Sequence, residues 1–420
     1  MDSIDKQVIS YLNDKIRTKT NYLDFQDENM NYSTHKYHDY PATMIPKLPA
    51  LFIDAVTSAK AVESLYDPFM GSGTTLVEGI RHNVNSIGVD LNPLAVLISQ
   101  VKTNKIDSNK LKLGWNRLWE DITTAQLAEK SGKLTISKPL FKNIDYWFKP
   151  DVIHDLQLIK MQILKITDKE IRNFFWVVFS KTVRYVSNTR NNEFKLYRLP
   201  AKQLATWQPD TINKFKEYAL KNIKANNSLT EHTAKAQAIF GNAQSLSKFS
   251  TNAFDLLITS PPYGDSQTTV AYGQFSRLSL QWLNLEEYSP KNIAKIDKLL
   301  LGGKLSGKEI KRMPSKTLNE VIEKINSKDH KRALEVLQFY EDLLIVLKET
   351  IRVMKPNSYQ FWVTANRTVK GITLPTNKII AELYHSLGVK KVAEYTRNIV
   401  NKRVSGTMKQ ENIVLYKTIK

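Results

Sequence analysis

The chain has 420 residues, 42% of them hydrophobic, enough to bury a large core as one big domain with insertions or as two domains. Its 61 Lys and Arg against 41 Asp and Glu give a formal charge of +20, a balance that favours a polyanionic partner such as nucleic acid. The absence of cysteine excludes disulfides, thiolate zinc sites and every mechanism that needs a cysteine nucleophile.

No apolar run approaches the roughly 18 residues of a membrane span, and "MDSIDKQVIS" lacks a secretory pattern, so a cytoplasmic protein with no membrane partner is expected. From residue 61, "AVESLYDPFMGSGTTLVEGIRHNVNSIGVDLNPLAVLISQ" reads as strand, glycine turn, helix, a short strand ending at Asp90, and a further helix from Pro93. Residues 105–230 read mostly helical, with apolar residues at three-to-four spacing in "VIHDLQLIKMQILKI" and "IRNFFWVVFSKTVRYV". Strand-like "AQAIFGNAQSL" (236–246) and "FDLLITSPPYG" (254–264) follow, then a lysine-rich insert over 284–335. The chain closes with the amphipathic "FYEDLLIVLKETIRVMKPN", the strand "SYQFWVTAN", and two β-rich segments expected to form an antiparallel pair. Strands alternating with helices predict a doubly wound α/β sheet, with disorder confined to the N-terminus and the second insert.

Two stretches carry chemistry. In "DPFMGSGTTL", Gly71 and Gly73 lie between a strand and a helix, where backbone passes close to a ligand. A phosphate-binding P-loop needs Lys after its last glycine, but Thr74 and Thr75 stand there; a dinucleotide loop needs a third glycine where Leu76 stands. S-adenosylmethionine fits better: Asp67 for the methionine ammonium, Thr74, Thr75 and the helix N-terminus for its carboxylate, and Asp90 for the ribose hydroxyls. The second stretch is Ser260-Pro261-Pro262-Tyr263, where adjacent prolines forbid continuation of the strand. The Ser260 hydroxyl and Pro261 carbonyl can accept from the exocyclic amine of a planar base and stabilise the charge that develops as that nitrogen is methylated. Pro262 fixes the turn, and Tyr263 can stack on the base.

Together "DPFMGSGTT" and "TSPPYG" resemble the signature motifs of the amino-methylating DNA methyltransferases, which act on cytosine N4 or adenine N6. The resemblance implies a Rossmann-like methyltransferase sheet with an antiparallel closing strand, S-adenosylmethionine becoming S-adenosylhomocysteine, no metal, and base flipping. "HKYHDYPATMIPKL" (35–48) looks like the segment that closes over the cofactor, bringing Tyr40 and Pro41 to it. Pro68 and Phe69 belong to the cofactor motif, and "IFGNAQSL" looks like the third cofactor motif, with Asn242 where Asp is commoner. "AYGQFSRLSLQWL" (271–283) is similar to the helix lining the pockets. Ser before Pro-Pro is typical of N4-cytosine enzymes; adenine N6, RNA bases and a catalytically silent nucleic-acid-binding subunit are the alternatives.

The organisation that follows is an N-terminal segment and cofactor half (1–104), a helical insertion that is a possible recognition region (105–230), the catalytic half (231–283), a basic insertion (284–335) and the C-terminal part of the domain (336–420). Double-stranded DNA is expected at Arg184, Arg190, Lys195 and Arg198, which are interleaved with aromatics, at Lys308, Lys311 and Arg312, and at Arg367 and Lys402 beyond strand ends. A prokaryotic enzyme acting on the nucleoid, a monomer or weak dimer, with a cognate restriction endonuclease as a candidate partner, completes the expectation.

Overall fold

The computed structural model describes residues 2–191, 193–264, 271–283, 285, 293, 295–399 and 409–419. Five parallel strands form its centre: β1 (Ser64–Asp67), β2 (Asn85–Asp90), β3 (Ala236–Phe240), β4 (Phe254–Thr259) and β5 (Met354–Thr364). A hairpin of β6 (Arg367–Val369) and β7 (Ile372–Leu374) stands apart. The sheet is completed by β8 (Lys390–Asn398) and β9 (Gln410–Lys417) in the order β3-β2-β1-β4-β5-β9-β8. β9 runs antiparallel to both neighbours, which is the antiparallel closure the sequence predicts.

The strand sequences explain their places. β4, "FDLLIT", is buried at every residue and lies centrally between β1 and β5, as a parallel strand covered on both faces must. β5 alternates: Tyr359, Phe361 and Val363 join a cluster with the helices α1 (Ser3–Arg17) and α2 (Lys47–Thr57), while Trp362 joins the opposite face. Phe52 of α2 stacks on Phe361 with centroids 4.2 Å apart. The crossover helices α3 (Thr74–Arg81) and α4 (Pro93–Thr103) follow β1 and β2. The 105–230 region supplies α5 (Ser108–Lys130), α6 (Pro150–Lys165), α7 (Lys169–Val186) and α8 (Thr211–Asn226), which share one apolar cluster with α4 and α9 (Tyr272–Leu283).

From Asp2 onward the N-terminus is ordered, against the expected disorder. Asp2 and Asp5 form a capping box, and buried Asp5 accepts hydrogen bonds from Tyr359 Oη (2.7 Å) and Lys417 Nζ (2.8 Å), tying α1 to β5 and β9. The lysine-rich insert is also partly ordered. Its charge pattern conceals α10 (Lys316–Asn326), whose Leu318, Val321, Ile322 and Ile325 pack in one core with α11 (His330–Val353) and α12 (Thr376–Ser386).

Candidate active site

The turn after β1 is built around two carboxylates. Asp67 is buried, and its Oδ1 accepts from Phe69 N (3.0 Å) and Thr259 Oγ1 (2.7 Å), so the ends of β1 and β4 are pinned together. Asp90, at the end of β2, accepts from Gly71 N (3.0 Å) with one oxygen and from Asn92 N (2.7 Å) with the other. Burial pushes both carboxyls up to about 6, against the lowering effect of these hydrogen bonds. Such groups regain their ordinary acidity when a cation or further donors arrive.

Gly73 differs from the expectation. It does not line the cleft; it caps α3 at φ +77°, and a Cβ there would lie 2.0 Å from Ser99 Oγ, so its missing side chain lets α3 meet α4. The other expected cofactor residues share one cleft: Tyr40, Pro41, Asp67, Pro68, Phe69, Gly71, Thr74, Thr75, Asp90 and Asn242. Asn242 carries a satisfied turn, its Oδ1 accepting from Gln244 N at 2.9 Å.

The segment bearing Tyr40 is held from below. Thr34 Oγ1 donates to Lys102 O (2.7 Å), and buried His35 lies 2.6 Å from Glu78 of α3, with burial pushing its imidazole down to about 4. Tyr40 then stacks on Tyr272 at 5.9 Å and accepts from Asn92 Nδ2 at 3.0 Å. Residues 299–301, all leucine, border the same cleft from within the lysine-rich insert. Motif reading missed them because a short apolar run among lysines carries no ligand signal.

After β4 the chain turns through Pro261, Pro262 and Gly264 (φ +60°). Ser260 Oγ lies 3.0 Å from Tyr263 Oη, which donates to Glu411 Oε1 at 3.2 Å. A second cavity is lined by Ser260, Pro261, Pro262, Tyr263, Phe194, Arg367, Arg397 and Glu411, among others. Ser260, Pro262, Tyr40 and Tyr272 border both cavities, so the two meet at the turn after β4.

The basic residues separate by environment. Arg184 is turned inward: it donates to Thr189 Oγ1 (2.8 Å) and Glu193 O (2.6 Å), lies over Phe275, and burial lowers its guanidinium to about 10. It shapes the 188–199 loop instead of presenting a charge to a phosphate. Arg190 and Lys195 are exposed on that loop, Arg198 covers the Tyr146 ring at 4.3 Å, and Lys308, Lys311 and Arg312 are exposed elsewhere. Arg367 borders the second cavity; Lys402 lies outside the described residues. Phe194, 48% exposed, stands at the mouth of that cavity.

The first cleft fits S-adenosylmethionine on its own chemistry. Two carboxylates held above their ordinary range suit a cationic ligand, and the buried Thr74 hydroxyl at the α3 N-terminus has no hydrogen-bond partner among the described residues.

Comparison with known proteins agrees. A family model described as DNA methylase matches residues 3–101. The type II methyltransferase M.MvaI of Kocuria varians is 44% identical over 415 residues, covering 95% of this chain and 91% of that protein. M.BsoBI of Geobacillus stearothermophilus, also a type II methyltransferase, is 23% identical over 427 residues, 88% of this chain and 81% of its own. Among solved structures, a SAM-dependent methyltransferase from Methanosarcina mazei is similar with 10% identity and a TM-score of 0.32 over 87% of this chain and 96% of that one, too slight a likeness to add to the argument. Near-full-length similarity to M.MvaI, with the paired motifs on one cleft, means that the chain belongs to the S-adenosylmethionine-dependent, amino-methylating type II DNA methyltransferases.

Proposed function

We propose that this enzyme methylates the N4 amine of a cytosine turned out of duplex DNA at a short specific sequence, within a restriction-modification or related defence system that includes a cognate endonuclease. The observation that carries this reading is the shared wall: Ser260 and Pro262 border both the cofactor cleft and the adjoining cavity. A base entering the second cavity meets Ser260 from one side while a methyl donor meets it from the other. Adenine can enter the same cavity, and the preference for cytosine rests on Ser at position 260.

S-adenosylmethionine, when bound, supplies the electrophilic methyl group; the chain's residues bind, orient and polarise. Asp67 faces the ammonium, Thr74 and Thr75 the carboxylate, and Asp90 the ribose hydroxyls. Tyr40 and Pro41 close over the cofactor, and Asn242 borders the adenine end. Ser260 Oγ and the Pro261 carbonyl accept from the target amine, drawing its nitrogen toward a tetrahedral, nucleophilic geometry. The Tyr263 ring stacks on the base.

DNA lies across the mouth of the second cavity in this reading. Phe194 and Tyr197, both exposed, alternate with Arg190, Lys195 and Arg198 on one loop, the mixture suited to unstacked bases and phosphates. Arg367 lies on the cavity wall, and Lys308, Lys311 and Arg312 extend the basic surface. The helical insertion over 105–230 and the basic insertion over 284–335 are the recognition regions, serving a monomer or weak dimer.

The deciding experiment incubates purified enzyme with S-adenosylmethionine and mixed-sequence duplex DNA, then identifies modified nucleosides by mass spectrometry. N4-methylcytosine supports the proposal. N6-methyladenine overturns its choice of base, and an unmethylated duplex overturns the substrate.

A further inference from the structure

Ser260 can activate an amine only if its oxygen offers lone pairs, and a hydroxyl is equally able to present its proton. What decides between these comes from β9 and β8, whose Glu411 and Arg397 reach the turn after β4. Tyr263 Oη is 3.0 Å from Ser260 Oγ and 3.2 Å from Glu411 Oε1. Glu411 is ion-paired with Arg397, its cross-strand partner between β9 and β8. Arg397 is buried, and its Nε donates to Leu23 O at 3.0 Å, which anchors the pair to the N-terminal region.

We infer that Glu411 is a positioning residue that sets the direction of this hydrogen-bond chain. An ionised carboxylate has no proton to give, so Tyr263 must donate to it. With its single proton committed, Tyr263 can meet Ser260 only as an acceptor, so Ser260 donates to Tyr263. The Ser260 proton is thereby drawn away from the reacting amine, and the Ser260 oxygen faces the pocket as a pure acceptor. Glu411 touches neither base nor cofactor in this scheme. It acts through Tyr263 on the polarity of Ser260, and the ion pair with Arg397 holds it in place.

The inference rests on the proposed role of Ser260 and is tested so that the two fail separately. Methylation is measured in single-turnover mode for Ser260→Ala, Glu411→Gln, Tyr263→Phe and the Glu411→Gln/Tyr263→Phe double variant, with S-adenosylmethionine affinity measured by calorimetry and folding by thermal melting. A glutamine amide can donate to Tyr263 and reverse the chain, while phenylalanine keeps the ring and deletes the relay. Both singles are expected to slow methyl transfer by about tenfold to a hundredfold, the scale of mispositioning at a reacting group. Cofactor affinity should stay within about twofold, and the double should be no slower than the slower single, because both break the same chain.

A full-rate Glu411→Gln overturns the inference, as do losses that multiply in the double variant. A slow Glu411→Gln beside a full-rate Tyr263→Phe also overturns it, since the effect then bypasses Tyr263. If Glu411→Gln does not fold, Tyr263→Phe decides alone: a slow variant supports the relay and a full-rate one removes it. If Ser260→Ala turns over normally, the role of Ser260 itself is wrong; if it is slow while both others are fast, only the relay is wrong.

Discussion

Replacing Asp67 by Asn removes one charge from the cofactor cleft with little change of shape, and the structure fixes what should follow. Asp67 is buried, accepts from Phe69 N and Thr259 Oγ1, and its carboxyl is raised to about 6 by desolvation. A charge-assisted hydrogen bond to a ligand ammonium contributes about 1.5 to 3 kcal/mol, so Asp67→Asn should weaken binding by about ten- to 150-fold at pH 8. The sign with pH follows from the raised value. Above about 6 the Asp67 carboxylate is ionised and attracts the ammonium; as pH falls through 6 it gains a proton, and the attraction is lost. For one group of pKa about 6, affinity at pH 5 is roughly elevenfold below that at pH 8. Asp90 titrates near the same value and is present in both proteins, so the comparison reduces its contribution; its carboxyl, raised chiefly by burial and in part by the Asp67 charge, should titrate somewhat lower in Asp67→Asn.

The quantity to measure is therefore the affinity gap between parent and Asp67→Asn, by calorimetry with S-adenosylhomocysteine. That ligand keeps the ammonium and lacks the sulfonium charge. The gap should shrink about tenfold between pH 8 and pH 5. A gap that is constant with pH, or Asp67→Asn binding within about twofold of the parent at pH 8, refutes the placement of the ammonium beside Asp67.

Gly73→Ala must force a Cβ into left-handed backbone at φ +77° and to within 2.0 Å of Ser99 Oγ, so chemical denaturation should show a loss of about 2 to 5 kcal/mol. Gly132→Ala, at φ +71° with nothing within 4 Å, should cost only the backbone part, about 1 to 2 kcal/mol. Phe194→Ala should raise the Kd for DNA by about five- to 150-fold, the equivalent of one base stacked on an aromatic ring, and leave cofactor affinity unchanged. If Lys308, Lys311 and Arg312 each neutralise a phosphate, their joint replacement by Ala should reduce the slope of log affinity against log salt by about 2.7, and an unchanged slope removes them from the DNA surface.

The parts of this molecule that were legible in its sequence are those whose chemistry is local. The βαβ opening, the central apolar β4 and the two turns that follow β1 and β4 each combine a periodicity with a residue type that only a turn or a pocket tolerates. Long charged side chains hid the rest. Lysines on the outer face of α10 conceal a buried stripe of Leu318, Val321, Ile322 and Ile325, and the leucines at 299–301 fall in a lysine-rich insert whose sequence predicts disorder. Arg184 looked like a phosphate ligand because burial cannot be read from an isolated arginine; only the packed structure shows its guanidinium spent on Thr189 and the Glu193 carbonyl. The sequence places Gly73 at the ligand because a glycine beside a pocket and a glycine beneath a helix crossing look alike in sequence.

Glu411 was invisible for a topological reason. Parallel strands deliver their carboxyl ends to one edge of the sheet, so the residues that follow β1, β2 and β4 gather there and can be found by reading just past each strand. β9 runs the other way. Its register with β5 pairs Thr364, at the end of β5, with Asn412, near the start of β9, so that same edge receives the first residues of β9. An acidic residue opening a strand near the end of a chain has no reason to be suspected from sequence. Once the antiparallel insertion is known, the same edge rule finds Glu411 and its partner Arg397 at once, because β8 runs parallel to β5 and ends beside them. The closing strands thus supply more than an edge for the sheet: they bring an ion pair to the turn that bears Ser260, 151 residues earlier in the chain. Disturbing the β8–β9 pairing at its Arg397–Glu411 end should therefore slow methyl transfer before it weakens cofactor binding, since the carboxylates proposed to flank the cofactor hang from β1 and β2.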